Sequence, residues 1–306
     1  MRWILLWMAR NRWLRERIPR LPPVKRAIRR FMPGEDQESA LVQAELFRNE
    51  GIGCLFTHLG ENIVRIEEAD ATAEHYRGLL ESIKARGIGG EISVKLTQLG
   101  LDIDEDRTLY HVDRLLERAA EDGGVVWIDM EGSAYTERTV AIFERLKHRH
   151  PNVGICLQAY LRRTAADVAR LIPLDPAIRL VKGAYDEPES LAYRTRGAVT
   201  TNYAALAVEL LSASAAGRHV RIGLGTHDVD LIEQVGAHAV AMGLGRSAFE
   251  VQMLYGIRMA DQRRLAKAGY PTRDLIAYGT AWYPWYMRRL AERPANVLFA
   301  LRQIVG

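Results

Sequence analysis

A chain of 306 residues with 48% apolar and 26% charged side chains has an ordinary globular composition, which excludes a disordered or disulfide-scaffolded protein. The formal charge of +4 divides unequally. Residues 1–33 hold ten Arg or Lys against one acid, Glu16, a net +9, and the remaining 32 basic and 37 acidic residues give −5. An acidic body argues against nucleic-acid binding.

The chain opens on an apolar run of seven residues over 3–9, far short of the ~20 that cross a bilayer. No small-residue cleavage site follows, so no signal peptide is expected. Residues 1–18 read as an amphipathic helix with Trp3, Trp7 and Trp13 among arginines; Pro19, Pro22, Pro23 and Pro33 interrupt what comes next. Such an arm, residues 1–30, suits peripheral contact with the inner face of the cell membrane; the competing reading is a packed N-terminal helix with a solvated basic face. Residues 35–50 form one amphipathic helix. Cys54 and Cys156 sit inside apolar runs and read as buried thiols, which suits a reducing, cytoplasmic location.

From residue 51 onward, short apolar runs alternate with longer amphipathic ones. The runs at 51–60, 91–100, 125–131, 153–160, 178–185, 220–228, 249–256 and 274–279 are rich in Val, Ile, Leu and aromatics, as buried parallel strands are. Helical patterns fill the intervals, among them 104–122, 134–150, 200–216, 228–243 and the closing 284–304. Eight strand–helix alternations predict an α/β protein, a (βα)8 TIM-type barrel over 51–306, with residues 1–50 as an N-terminal basic arm and helices. A doubly wound sheet is the rival, but GIGGE at 87–91 precedes a strand instead of following one, and no other strand–GxGxxG–helix unit occurs.

A barrel carries its chemistry at the C-terminal ends of its strands. Those ends hold Lys95 and Thr97; Asp129, Met130 and Glu131; Gln158 and Tyr160; Arg179, Lys182, Gly183 and Tyr185; Thr226, His227 and Asp228; Gln252 and Tyr255; and Tyr278. Charges within apolar strands are costly unless paired, so Lys95 and Asp129 point to a site. Asp228 serves equally well as a helix cap, Gln252 and Tyr255 as rim hydrogen-bonders, and Glu131 as a partner for a neighbouring cation.

In the last helix Pro284 is followed by Arg288, Arg289 and Glu292. Two arginines near the positive end of a helix work against local stability, and a bound anion resolves the conflict. A small carboxylate substrate is therefore expected; the bland alternative is a solvated pair with Glu292 at i,i+4. Metal-ligand spacing, a GxSxG elbow and a Cys–His pair are all missing, and His227 is the only histidine read at a strand end. Lys95 and Lys182 leave a Schiff-base lyase open. Redox chemistry would require a cofactor.

The segments SVKLTQLG (93–100), IDME (128–131), LQAYL (157–161), RLVKGAY (179–185), THD (226–228), LYG (254–256) and YG with WYPWYMRRLAERP (278–294) together resemble the bacterial single-function proline dehydrogenases. The resemblance runs from about residue 31 to 305. It implies a distorted barrel with the last helix over its end, and FAD-dependent oxidation of L-proline to Δ1-pyrroline-5-carboxylate. Hydride would pass to flavin N5 in the first step of proline catabolism to glutamate, with electrons handed on to a quinone or other acceptor. Hydroxyproline or another cyclic amino acid is the alternative substrate.

By the same resemblance Asp129 and Arg179 are catalytic, Arg179 lying beside flavin N5. Arg288 and Arg289 clamp the substrate carboxylate, and Lys95, Tyr185, Tyr278 and Glu292 line the substrate site. Met130, Gln158, Lys182, Gly183, Ala184, Thr226 and His227 hold FAD. Glu61, in LGE (59–61), pairs with an arginine to gate the pocket. Two departures stand out: 189–203 lacks the Lys and Asp expected before Asn202 and Tyr203, and Gly225 replaces a slightly larger residue.

Overall fold

The computed structural model of the chain describes residues 5, 7, 8, 11–18, 24, 28–60 and 63–292, without the side chains of 12, 15, 16, 288, 289, 291 and 292. Within it the eight apolar runs each supply one parallel strand: β1 (Gly53–His58), β2 (Glu91–Val94), β3 (Val126–Ile128), β4 (Val153–Gln158), β5 (Ala177–Val181), β6 (Arg221–Gly225), β7 (Glu250–Leu254) and β8 (Thr272–Tyr278). They follow one another in sequence order around a closed barrel. Closure is made by β1 against β8, in register from Gly53↔Arg273 to His58↔Tyr278. The expected (βα)8 barrel is the fold observed.

Helices cross between the strands. A short α1 (Arg12–Arg17), capped by the Asn11 side chain, and α2 (Gln37–Asn49), capped by Asp36, precede the barrel. Then come α3 (Ile66–Ala85), α4 (Glu105–Ala120), α5 (Ser133–Lys147), α6 (Thr164–Leu171), α7 (Arg196–Ala215), α8 (Val229–Ala241), α9 (Met259–Lys267) and α10 (Trp282–Glu292). Helix α4 shows why: Leu109, Val112, Leu115, Leu116 and Ala119 recur at i, i+3 and i+4, and these are the residues it buries.

Strand alternation sorts side chains into a helix-facing core and a lumen. Leu55, Trp127 and Ala177 pack together in the lumen with Leu275. The Trp127 indole has Arg221 over it at 5.2 Å and Arg179 at 5.4 Å. Arg221, level with Ala177, pairs with Glu91 at 2.8 Å and Glu250 at 2.9 Å, and Arg273 joins Glu250 at 3.0 Å. That ionic plug closes the N-terminal end. Arg179 lies two residues further along β5, toward the opposite mouth.

Described residues of the arm pack against the last helix. Leu5, Val24, Ile28, Phe31 and Met32 are buried in one cluster with Trp282, Trp285, Tyr286, Met287 and Leu290 of α10. Trp7 and Trp13 stay exposed, at 55% and 63%, and Trp3 lies outside the described residues. Among the described residues no helix is long and apolar enough to cross a membrane.

Candidate active site

Three strand ends converge on one carboxylate. Asp129 follows β3, and its amide donates to Val94 O at 2.8 Å, which extends the β2–β3 ladder. Its Oδ2 receives Lys95 Nζ at 3.0 Å and its Oδ1 receives Ser93 Oγ at 2.7 Å. Arg179 Nη2 also donates to Oδ1. The guanidinium is held further by Ser93 Oγ at 2.8 Å and Gln252 Oε1 at 3.4 Å. The Lys95 and Arg179 side chains are only 11% and 4% exposed.

Burial alone would raise the Asp129 carboxyl. The charges of Lys95 and Arg179 and the bonds from Ser93 and Lys95 outweigh it and hold the group below the usual carboxylate range. Two cations on one anion leave this cluster with a net positive charge, which favours an anion above it. Cys156, beside Arg179, is a free buried thiol whose ionisation is pushed up by burial; Cys54 is likewise free and buried.

Around this centre lies a hydrogen-bonded frame. Glu131 is buried and accepts from Thr97 N at 3.1 Å and Thr97 Oγ1 at 2.6 Å, which ties the turn after β3 to that after β2. Gln158 Nε2 donates to Met130 O at 3.2 Å and Glu131 O at 2.7 Å, while its buried Oε1 receives no hydrogen bond among the described residues. Lys182 Nζ reaches Asp228 Oδ2 at 2.6 Å and Thr200 Oγ1 at 3.0 Å. Asp228 also caps α8, as the helix-cap reading of it expects.

Gly183 has φ +111°, and a Cβ there would sit 2.1 Å from the Tyr160 ring, so only glycine lets the backbone pass. Ala184 and Tyr185 follow, both half-buried. Thr226 Oγ1 accepts from Asp228 N at 3.2 Å, and His227 Nε2 accepts from Leu254 N at 3.4 Å. A Cβ at Gly225 would meet Leu180 O at 2.9 Å, so β6 leaves no room for the larger residue the resemblance implies. Gln252 belongs to the centre through Arg179, whereas Tyr255 turns to Gln43 on α2.

Other expected residues lie elsewhere. Alternation puts Tyr278 on the helix-facing side of β8, with its hydroxyl 2.7 Å from His75 Nε2 on α3; the structure does not bring it to Lys95 and Asp129. Arg288, Arg289 and Glu292 lie on α10, but their side chains are outside the described residues, as is all of Glu61. A cavity of about 260 Å³ opens between the mouth and α10, lined in part by His58, Lys95, Gln98, Thr280, Pro284 and Trp285.

His58 corrects the reading of His227 as the only strand-end histidine. It ends β1, and a strand read as running to residue 60 hid that end. His75 was also missed, because helix α3 was not among the segments read.

The sequence matches the family model described as proline dehydrogenase over residues 40–302. Proline dehydrogenase 1 of Bacillus subtilis is 34% identical over 306 residues, covering 100% of this chain and 99% of that protein. The proline dehydrogenase of Deinococcus radiodurans is 37% identical over 278 residues, covering 89% and 88%. The fold is also similar to a crystal structure of proline utilization A (PutA) from Bdellovibrio bacteriovorus inactivated by N-propargylglycine. There the TM-score is 0.81 at 21% identity, over 94% of this chain and 38% of the longer PutA chain. A family match over most of the length, joined to relatives that cover 89–100% of it, means that this chain belongs to the proline dehydrogenase family.

Proposed function

We propose that the protein is an FAD-dependent enzyme that oxidises L-proline to Δ1-pyrroline-5-carboxylate, the first step toward glutamate, and passes the electrons to a quinone. The barrel, 51–306, is its catalytic unit and residues 1–50 its arm. The observation that carries the reading, beside the family, is the Lys95–Asp129–Arg179 cluster at the mouth under α10.

The strand ends β3 to β6 suit a flavin on two grounds. Gln158 Oε1 is a buried acceptor for an N–H donor, and Lys182, held by Asp228, places a cation at the rim for a phosphate tail. Met130, Ala184, Thr226 and His227 complete that wall. A flavin bound there supplies a two-electron acceptor for the hydride.

The chain's own groups do the rest. L-Proline loses a hydride from the ring carbon beside nitrogen and a proton from nitrogen as the C–N bond becomes an imine. Arg288 and Arg289 anchor the carboxylate, with Lys95, Tyr185 and Glu292 at the pocket wall and Glu61 as its gate, so that catalysis is mainly orientation. Arg179, locked by Ser93 and Gln252, gives a fixed positive charge where electrons arrive. Lys95 donates to Asp129 at 3.0 Å, an ion pair that a Schiff-base lyase would have to break to free the amine.

The test is colour. The purified protein is expected to be yellow and to bleach anaerobically with L-proline; a colourless chain that takes up no FAD refutes the proposal. The exposed Trp7 and Trp13 on a basic arm support peripheral membrane contact. Trp7→Ser with Trp13→Ser is expected to lower binding to anionic liposomes at low salt, and unchanged binding removes that role.

A further inference from the structure

The two histidines outside the charged centre form a cluster with a consequence for α10. His75 Nε2 lies 2.7 Å from the Tyr278 hydroxyl. The His58 ring packs beside both, its centroid 4.3 Å from that of His75 and 5.4 Å from that of Tyr278. His58 and Tyr278 are Cα partners at the last rung of the β1–β8 ladder, and Leu59 N donates to Tyr278 O at 2.8 Å. Gln98 Nε2 approaches His58 Nδ1 at 3.5 Å. The next residue, Gly279, has φ +113°, and a Cβ there would fall 2.9 Å from the His58 ring. Helix α10 begins three residues later, at Trp282.

We infer that His75 is a positioning residue: through the Tyr278 hydroxyl and the His58 ring it fixes the corner on which α10 stands, and so sets the affinity for the substrate. The inference rests on the proposed proline oxidation, in which α10 carries the carboxylate clamp. Burial raises the Tyr278 phenol and lowers the His75 imidazole, so the two meet as neutral groups, one donating and the other accepting according to the imidazole tautomer. The bond joins α3 to the first residue of the corner.

The lever is short. Arg288 is six residues beyond Trp282, about 9 Å of helix, so a tilt of about 10° at the base moves it by about 1.6 Å. Displacements near 1 Å in a positioning group cost up to about 10²-fold. A clamp that binds the substrate carboxylate alike in the ground and transition states shows its loss in KM, not in kcat.

The experiment compares His75→Phe, which keeps a ring and loses the hydrogen bond, with His75→Gln, which restores a polar atom at the reach of Nε2. Amide hydrogen exchange is read by mass spectrometry on the flavin-loaded full chain, alongside KM and kcat for L-proline. His75→Phe is expected to quicken exchange over residues 279–292 and to raise KM about tenfold with kcat within twofold. His75→Gln returns both toward the parent, and Tyr278→Phe matches His75→Phe with no further loss in the double variant. Unchanged exchange over 279–292, a rise spread equally over the barrel strands, or no rescue by glutamine overturns the inference. A parent protein that does not oxidise proline overturns the functional reading instead, and the exchange data still decide whether His75 holds the helix.

Discussion

Asp129→Asn tests the charged centre most directly. The carboxylate takes Lys95 at 3.0 Å, Ser93 at 2.7 Å and the Arg179 guanidinium, and both cations are almost wholly removed from water. Asparagine keeps the shape and removes the charge, so Lys95 and Arg179 are left buried without their counter-ion. Breaking such a pair from one side costs about 3–5 kcal/mol. The Asp129 side chain is 18% exposed, so water screens part of this, and the loss falls to about 2–4 kcal/mol.

Urea unfolding followed by tryptophan fluorescence measures it, with the midpoint expected to fall at constant m. In a thermal scan the same loss is a fall of roughly 3–6 °C in Tm. Adding Lys95→Met to Asp129→Asn removes the stranded ammonium and should recover about 1 kcal/mol or more, a coupling a double-mutant cycle resolves. A single variant within about 0.5 kcal/mol of the parent, or a double variant simply additive, would refute the account of Asp129 as the hub.

Gly183→Ala places a methyl 2.1 Å from the Tyr160 ring at φ +111°, a strain of about 1–3 kcal/mol, and is expected to lower stability and, by displacing this strand end, flavin per purified chain; undiminished stability and colour count against glycine being required beside Tyr160. Arg288→Ala and Arg289→Ala are each expected to weaken proline binding by about 2–5 kcal/mol, a rise in KM of about thirtyfold or more, and an unchanged KM in both removes the clamp. Burial, with the neighbouring His75, pushes the His58 imidazole down to about 4, so the unfolded chain, titrating near 6.5, takes up its proton first. Stability from this residue is therefore full above about pH 6.5 and is lost as pH falls toward 4. Because the ring is partly exposed, the slope is less than the ~1.4 kcal/mol per pH unit of a complete one-proton difference. His58→Phe should flatten the urea midpoint between pH 6.5 and 4.5, and an unaltered slope contradicts the assignment.

The strands were legible because each is an apolar run long enough for one buried crossing and bounded by polar or glycine residues. Lys95, Asp129 and Arg179 stood out for a related reason, as full charges that strand burial does not tolerate singly. Their partnership was not legible. Lys95 and Asp129 are 34 residues apart, Asp129 and Arg179 are 50 apart, and Ser93 and Arg179 are 86 apart, distances that only closure of the barrel removes.

Tyr278 shows the other limit. Its place at a strand end follows from the run 274–279, but its direction depends on the alternation of β8, and a one-residue step exchanges lumen for helix face. Gln158 reads as a cofactor contact by position and Glu131 as a partner for a neighbouring cation; what the fold adds is that Gln158 also locks a backbone turn and Glu131 bonds Thr97, because buried polar groups take the nearest complementary atoms. The sequence by itself thus determined the barrel, its order and the residues whose chemistry needed a reason. Which of them meet, and which face away, was decided only by the tertiary structure, since strand register and pleat set direction and local composition does not encode them.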